Sequence, residues 1–295
     1  MIMEEPSAFF ATGDDLSGGE TGNIQRIYES RGGYTNLDKT TLDGKVVVLK
    51  SLKPEFVGNP FYEGLLRKEY EIGRVLNHPN ICPAEDYIDI QGLGNCVVMR
   101  WVDGGSLSEL IGRKGVPFRR ILLELCDALE YLHRNQIIHR DLKPSNILIT
   151  NDGYHVKLID FGLSDAQWYA VFKNPAGTKD FISPEQLAGE RLDCRTDIYS
   201  LGVVMRRMGV CPGIASVCVR EDRDRRYRDV AQVRDAVLRR SRLRRLAVYA
   251  AALCLCVAAA VSVGLMLPDI KAGFERSAVD SVFEKVSSEI RDAGY

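Results

Sequence analysis

Apolar residues along this chain follow two different rhythms. From Ile24 to Lys53 the pattern is strand-like, and Val46-Val47-Val48-Leu49 follows the turn signal Asp43-Gly44. From Glu63 to Leu76 the period becomes helical, with Leu65, Leu66, Ile72, Val75 and Leu76 as the apolar set. Cys96 to Val102 predicts another buried strand. Ile121 to His133 carries the stripe Leu122, Leu125, Cys126, Leu129 and Leu132, a strongly amphipathic helix. Ile147 to Ile149 and Val156 to Ile159 predict short strands bracketing loops, while Leu192 to Met208 and Val230 to Leu238 predict further helices. Strands dominate early and helices late. The expected class is α+β in two lobes, a small β-rich one over residues 23–102 and a larger helical one over 103–242. No internal repeat is present.

Beyond this region the pattern changes again. Leu246 to Leu267 contains no charged residue, and at ~1.5 Å per residue it is long enough to cross a hydrocarbon core of ~30 Å. It follows Arg239 to Arg245, a basic flank that orients a single span with the preceding residues in the cytoplasm. Those arginines could equally contact anionic lipid heads. Residues 268–295 would then be a short extracytoplasmic tail. Ile270, Phe274, Val279, Val282, Phe283, Val286 and Ile290 lie along one helical face of it, which suits a small sensor, a dimerising helix or a helix on the outer interface. Residues 1–22 are small, polar and acidic. They lack the order of a signal peptide and read as a disordered leader.

Composition removes several function classes. Apolar residues make up 45% and charged residues 27%, the balance of a globular protein. A net charge of −1 provides no global field for nucleic acid. The eight cysteines include no C-x-x-C pair. Neither a disulfide framework nor metal-ligand spacing is indicated, and reduced thiols are expected.

Candidate chemistry lies in the second lobe. His139-Arg140-Asp141-Leu142-Lys143-Pro144-Ser145-Asn146 is followed fourteen residues after Asn146 by Asp160-Phe161-Gly162. Further on come Gly177-Thr178-Lys179-Asp180-Phe181-Ile182-Ser183-Pro184-Glu185 and Asp197-Ile198-Tyr199-Ser200-Leu201-Gly202. The first segment resembles the catalytic loop H-R-D-x-K-x-x-N of the eukaryotic-type protein kinase superfamily. The second resembles its metal-binding D-F-G motif, and the third the end of its activation segment. The resemblance runs from about Ile24 to Arg242 and implies a two-lobed protein-kinase fold. With the apolar run, the layout is similar to bacterial single-pass membrane Ser/Thr kinases.

The resemblance also implies roles. Asp141 would orient the substrate hydroxyl and Lys143 would neutralise charge on the γ-phosphate. Asn146 and Asp160 would hold Mg²⁺, or Mn²⁺ in its place, through oxygen ligands. Lys50, closing Val47-Val48-Leu49-Lys50, would grip the α- and β-phosphates of ATP. Its ion-pair partner would be Glu69, with Glu71 as the alternative, judged by the distance to His78-Pro79-Asn80-Ile81. Met99 would guard the adenine pocket, and Arg100 and Val102 would belong to the hinge beside it. Thr178 and Lys143 point to the serine/threonine branch. Asp197 would support the catalytic loop, and Arg226 would pair with Glu185.

The match also departs from the pattern. The phosphate-covering loop aligns with Ser30-Arg31-Gly32-Gly33-Tyr34-Thr35, where only the middle glycine, Gly32, stands. Because glycine lets backbone approach phosphate closely, weaker ATP binding without loss of catalysis is expected. In relatives switched on by phosphorylation, the modified residue often lies four before the Thr of G-T. That position is Asn174 here, so activity without loop phosphorylation is expected. Little beyond a Cys-Pro-Gly turn is read between Met208 and Val219, so a helix of the second lobe looks missing. The functional expectation is a membrane-anchored serine/threonine protein kinase acting on protein hydroxyls, with self-association through the tail or the kinase domain. The competing readings are a catalytically silent scaffold or nucleotide sensor, and a small-molecule phosphotransferase of the same superfold.

Overall fold

The computed structural model describes residues 22–29, 33–161, 179–239, 252–259, 262, 277, 279–285 and 287–288. The chain divides into two units, Met1–Val237 and Leu238–Tyr295.

In the first unit, β1 (Gln25–Glu29), β2 (Thr35–Leu42), β3 (Lys45–Leu52), β4 (Ala84–Ile90) and β5 (Gly94–Arg100) form an antiparallel sheet in the order β1-β2-β3-β5-β4. Asp43 and Gly44 both take positive φ, 49° and 74°, as a two-residue hairpin turn requires. The period of two along β3 sorts its residues between the sheet faces. Val47 and Leu49 pack with Ile90, Cys96 and Val98. Val48 and Leu52 join Leu65, Leu66, Val97, Met99 and Ile159. Lys50 shares the parity of Val48 and Leu52 and so faces α1 (Pro60–Gly73). That helix starts where Asn59 accepts a hydrogen bond from the Phe61 N–H at 3.0 Å, with Pro60 at its first position.

The second lobe is built on α3 (Phe118–Arg134), which follows the single turn α2 (Leu107–Leu110). Its apolar stripe is fully buried. Against it lie β6 (Gly104–Ser106), β7 (Ile147–Thr150) and β8 (Val156–Leu158), which form a three-stranded sheet. α4 (Pro184–Leu187) and α5 (Cys194–Arg207) follow. α6 (Pro212–Cys218) and a helix over 230–239, α7, complete the lobe. A linker stitches the lobes together. The Cys82 N–H donates to Leu158 O at 2.9 Å, and the Leu158 N–H donates to Asn80 O at 2.8 Å.

The two-lobed α+β expectation is met, with corrections at particular elements. α1 begins three residues before the predicted start and stops at Gly73, so Val75 is exposed rather than part of the buried stripe. Between Met208 and Val219 the structure places α6, where the sequence suggested little more than a turn. Pro212 opens that helix, and Ile214, Ala215 and Cys218 bury its inner side. Such a short helix spans barely two turns, too few to register as a periodic signal.

In the second unit, residues 252–259 are helical, and residues 277–288 are helical wherever they are described. Val279, Val282 and Phe283 are exposed. Most of the predicted span, 246–267, lies outside the described residues. Among those described, no helix is long and apolar enough to cross a membrane.

α5 and α6 approach through Gly202. A Cβ there would stand 2.5 Å from Cys218 Cβ and 2.8 Å from Val219 Cγ1. Gly202→Ala is therefore expected to destabilise the fold by about 1–3 kcal/mol, the usual cost of overpacking. Urea denaturation checks this: an unchanged midpoint would mean that the helices separate freely.

Candidate active site

The site assembles from two clusters. In the first, Lys50 on β3 reaches Glu69 Oε1 on α1 at 2.6 Å and Asp160 Oδ1, just past β8, at 2.5 Å. Glu69 is thus the partner, while Glu71 faces outward in an exposed pair with Arg67 at 3.4 Å. Two carboxylates share one ammonium. Burial opposes the charge on Lys50, but Asp160 and then Glu69 hold it protonated. Burial also opposes charge on Asp160, which Lys50 nevertheless keeps below the usual carboxylate range. Glu69, more enclosed than Asp160, carries the cost: burial, reinforced by Asp160, pushes it up to about 7 against the pull of Lys50.

In the second cluster, Lys143 Nζ donates to Asp141 Oδ2 at 2.6 Å. Asn146 Nδ2 donates to the same oxygen at 3.0 Å and to Asp141 O at 2.9 Å. This loop hangs from α5. Asp197, fully buried, accepts from the His139 N–H at 2.9 Å and the Arg140 N–H at 2.8 Å. It also pairs with His133 Nε2 at 2.7 Å. Burial disfavours its charge, but these bonds and the nearby histidines hold its carboxyl below the usual range. His139 Nε2 faces Ile159 O at 3.1 Å and its Nδ1 accepts from the Asp141 N–H at 3.3 Å. A carbonyl can only accept, so Nε2 carries the proton. Arg140 and Asp160 both take left-handed backbone, φ 69° and 63°, a strain of ~1–3 kcal/mol each. Beside the first cluster, the Ile159 N–H donates to Asn146 O at 3.1 Å, which sets Asp160 next to the loop that carries Asp141.

The segment after the cleft is fixed by Glu185 and Arg226, both buried, with bonds of 2.7 and 2.8 Å. Every guanidinium nitrogen of Arg226 is bonded, the remaining acceptors being the backbone oxygens of Arg195, Arg220 and Glu221. Ser183 caps α4, and Gln186 Nε2 donates to Arg140 O at 2.9 Å. The hinge follows β5. Met99 is buried, Cys82 Sγ approaches Arg100 O at 3.5 Å, and Lys39 Nζ sits 3.9 Å over the Trp101 ring. Val102 packs beside the cleft-side core.

Of the residues singled out from sequence, Gly32 and Thr178 lie outside the described residues, as does the segment around Asn174. Of the others, Lys50, Glu69 and Asp160 are brought together in one cluster and Asp141, Lys143 and Asn146 in another, Asp197 bonds the loop, Arg226 pairs with Glu185, and Met99, Arg100 and Val102 lie at the end of β5 and just beyond it. Sequence reasoning missed His133, Thr196, Gln186 and Tyr34. Thr196 Oγ1 donates to Glu185 at 3.0 Å. Tyr34 is buried with its ring 5.3 Å from that of Tyr62 on α1. Burial, then the negative charge of Glu69, raises its hydroxyl above the usual range. Only Tyr34 carried a signal, as the aromatic at the tip of the phosphate loop.

Comparison with known proteins gives the family. Residues 31–233 match the protein kinase domain family. The chain belongs to that family. A probable serine/threonine-protein kinase of Streptomyces coelicolor is 38% identical over 179 residues, 55% of this chain and 26% of that protein. Serine/threonine-protein kinase PknB of Mycolicibacterium smegmatis is 35% identical over 216 residues, 65% of this chain and 34% of that protein. The chain thus spans about a quarter to a third of the length of these relatives. The PknI kinase domain of Mycobacterium tuberculosis shares the fold, with a TM-score of 0.57 at 20% identity, over 73% of this chain and 94% of that one.

Asp197 supplies the electrostatic test of the site. An amide at this position would turn a donor toward the loop amides, so Asp197→Asn should cost about 1–3 kcal/mol near pH 7. Its folded pKa is lowered, so the carboxylate stabilises above the unfolded value of ~3.9 and that contribution is lost as pH falls through the folded value. Urea midpoints of wild type and variant are expected to converge below about pH 4. A gap that stays constant to pH 2 would contradict the assignment.

Proposed function

We propose that this chain is a serine/threonine protein kinase that transfers the γ-phosphate of Mg-ATP to protein hydroxyls. The observation that carries this reading is the pair of clusters Lys50–Glu69–Asp160 and Asp141–Lys143–Asn146, adjoining where the Ile159 N–H donates to Asn146 O at 3.1 Å and where the Lys143 charge helps hold Asp160 ionised. Asp141, held between Lys143 and Asn146, would orient an incoming hydroxyl and accept its proton. Lys50 offers a fixed positive charge to the α- and β-phosphates, and Lys143 to the γ-phosphate. The residues also suit a hard cation. Asn146 turns its Nδ2 to Asp141, so its Oδ1, approached by the Ser145 hydroxyl at 3.4 Å, is the ligand atom it would offer a cation, and Asp160 is held ionised. Two such oxygen ligands would suit Mg²⁺, which is usually bound through one or two protein oxygens. When bound, the cation would neutralise charge developing on the phosphates.

Transfer of labelled phosphate from Mg-ATP tests this. Wild type is expected to yield phosphoserine or phosphothreonine, and Asp141→Asn to lower the rate about 10²–10⁴-fold, the usual weight of a positioned acid–base group. Ser30→Gly with Thr35→Gly is expected to lower the KM for ATP while leaving kcat close to wild type. Nucleotide binding without transfer by the wild type would sink the proposal in favour of a scaffold or sensor.

We further propose that the enzyme is anchored by residues 246–267, with residues 1–245 cytoplasmic and the tail outside. Support comes from the uncharged run and its flank of arginines. Protease added to intact cells should trim the tail and spare the kinase domain. Recovery of full-length chain in the soluble fraction would remove the anchor from the reading.

A further inference from the structure

Glu69 and Gly73 lie one turn apart on α1 and therefore share a face. Gly73 needs no left-handed backbone, since it takes no positive φ. Its conformation is open to any residue, and a glycine near a helix end costs up to ~1 kcal/mol relative to alanine. What the position lacks is room. A Cβ at Gly73 would stand 2.8 Å from Ala84 Cβ, 3.4 Å from Ala84 N and 3.7 Å from Ala84 Cα. Ala84 opens β4 and pairs across the sheet with Met99. Gly73, Ala84, Glu69 and Asp160 also line one narrow pocket together. The helix is thus pressed onto the strand by the two smallest side chains available, one turn below the carboxylate that reaches Lys50 at 2.6 Å.

We infer that the Gly73–Ala84 contact is a positioning pair that sets how deeply α1 carries Glu69 toward Lys50. A charge-assisted hydrogen bond of this length tolerates little displacement, and a methyl group added at Gly73 must push the helix or the strand away. Gly73 and Ala84 act on the reaction only through Glu69. The kinetic part of the inference rests on the proposed phosphoryl transfer, whereas the structural part does not.

The test follows acylation of Lys50 by an amine-reactive reagent, read by mass spectrometry on the nucleotide-free chain. Glu69→Gln provides the reference for a broken pair. In wild type, Lys50 should label slowly. In Gly73→Ala it should label several-fold faster. In Gly73→Ala with Ala84→Gly, which moves the methyl across the contact, it should return toward the wild-type rate. The kinase assay should follow the same order, with kcat/KM for ATP reduced in the single variant and restored in the swap. Wild-type labelling in Gly73→Ala, accompanied only by a lower unfolding midpoint, would reduce the contact to packing and overturn the inference. Should Gly73→Ala not fold, Ala84→Gly alone loosens the contact and is expected to label faster; a wild-type rate there overturns it as well. The labelling order observed in a wild-type chain that transfers no phosphate would uphold the positioning pair and remove the kinase reading instead.

Discussion

A carboxylate with no exposed surface has to be given donors by the fold around it, and Asp197 takes two from consecutive backbone amides. Two successive N–H groups can face one carboxylate only if the chain bends sharply between them, and Arg140 adopts left-handed backbone to do so. Just beyond the bend, Asp141 meets Lys143 and Asn146, and Arg140 O is met by Gln186. The catalytic loop, the start of α4 and the buried helix α5 are therefore one hydrogen-bonded body. Its geometry originates in a residue that never faces the cleft.

The upper half of the cleft is built differently. Lys50, Glu69 and Asp160 come from a strand, a helix and a loop far apart in the chain, and they meet through charge rather than through backbone continuity. One ammonium serves two carboxylates, so the arrangement is electrostatically under-compensated, and Glu69 absorbs the imbalance. Tyr34 and Tyr62 close the same corner with aromatic contact, which ties the residue just before β2 to the helix that carries Glu69.

How much of this could be read in advance depended on the kind of signal. Lys50, Asp141, Asn146 and Asp160 sit in short segments whose residue order is itself the information. The stripe on α3 was legible because every member is buried on one face. β2 was harder to read, since Asn36, Asp38 and Thr40 are its buried positions and a polar residue announces nothing about burial. α6 is too short to show a period. His133 and Gln186 act through partners 64 and 46 residues away, distances at which local pattern carries no trace. Glu69 was separable from Glu71 only by counting to a landmark, and the structure agrees because two residues along a helix reverse the face.

The Glu185–Arg226 pair has a bearing on how such a chain can change over time. Losing either partner leaves the other charge buried and uncompensated, at roughly 3–5 kcal/mol. That is a large share of the ~5–15 kcal/mol by which a typical domain is stable. Losing both to well-packed apolar residues can be close to neutral. Two acceptable states are thus separated by an intermediate that barely folds. Such a pair is held in place by the barrier between those states, whatever its own stabilising value. Divergent copies of this chain would keep both residues or replace both together, since a lineage passing through one alone would be removed by selection.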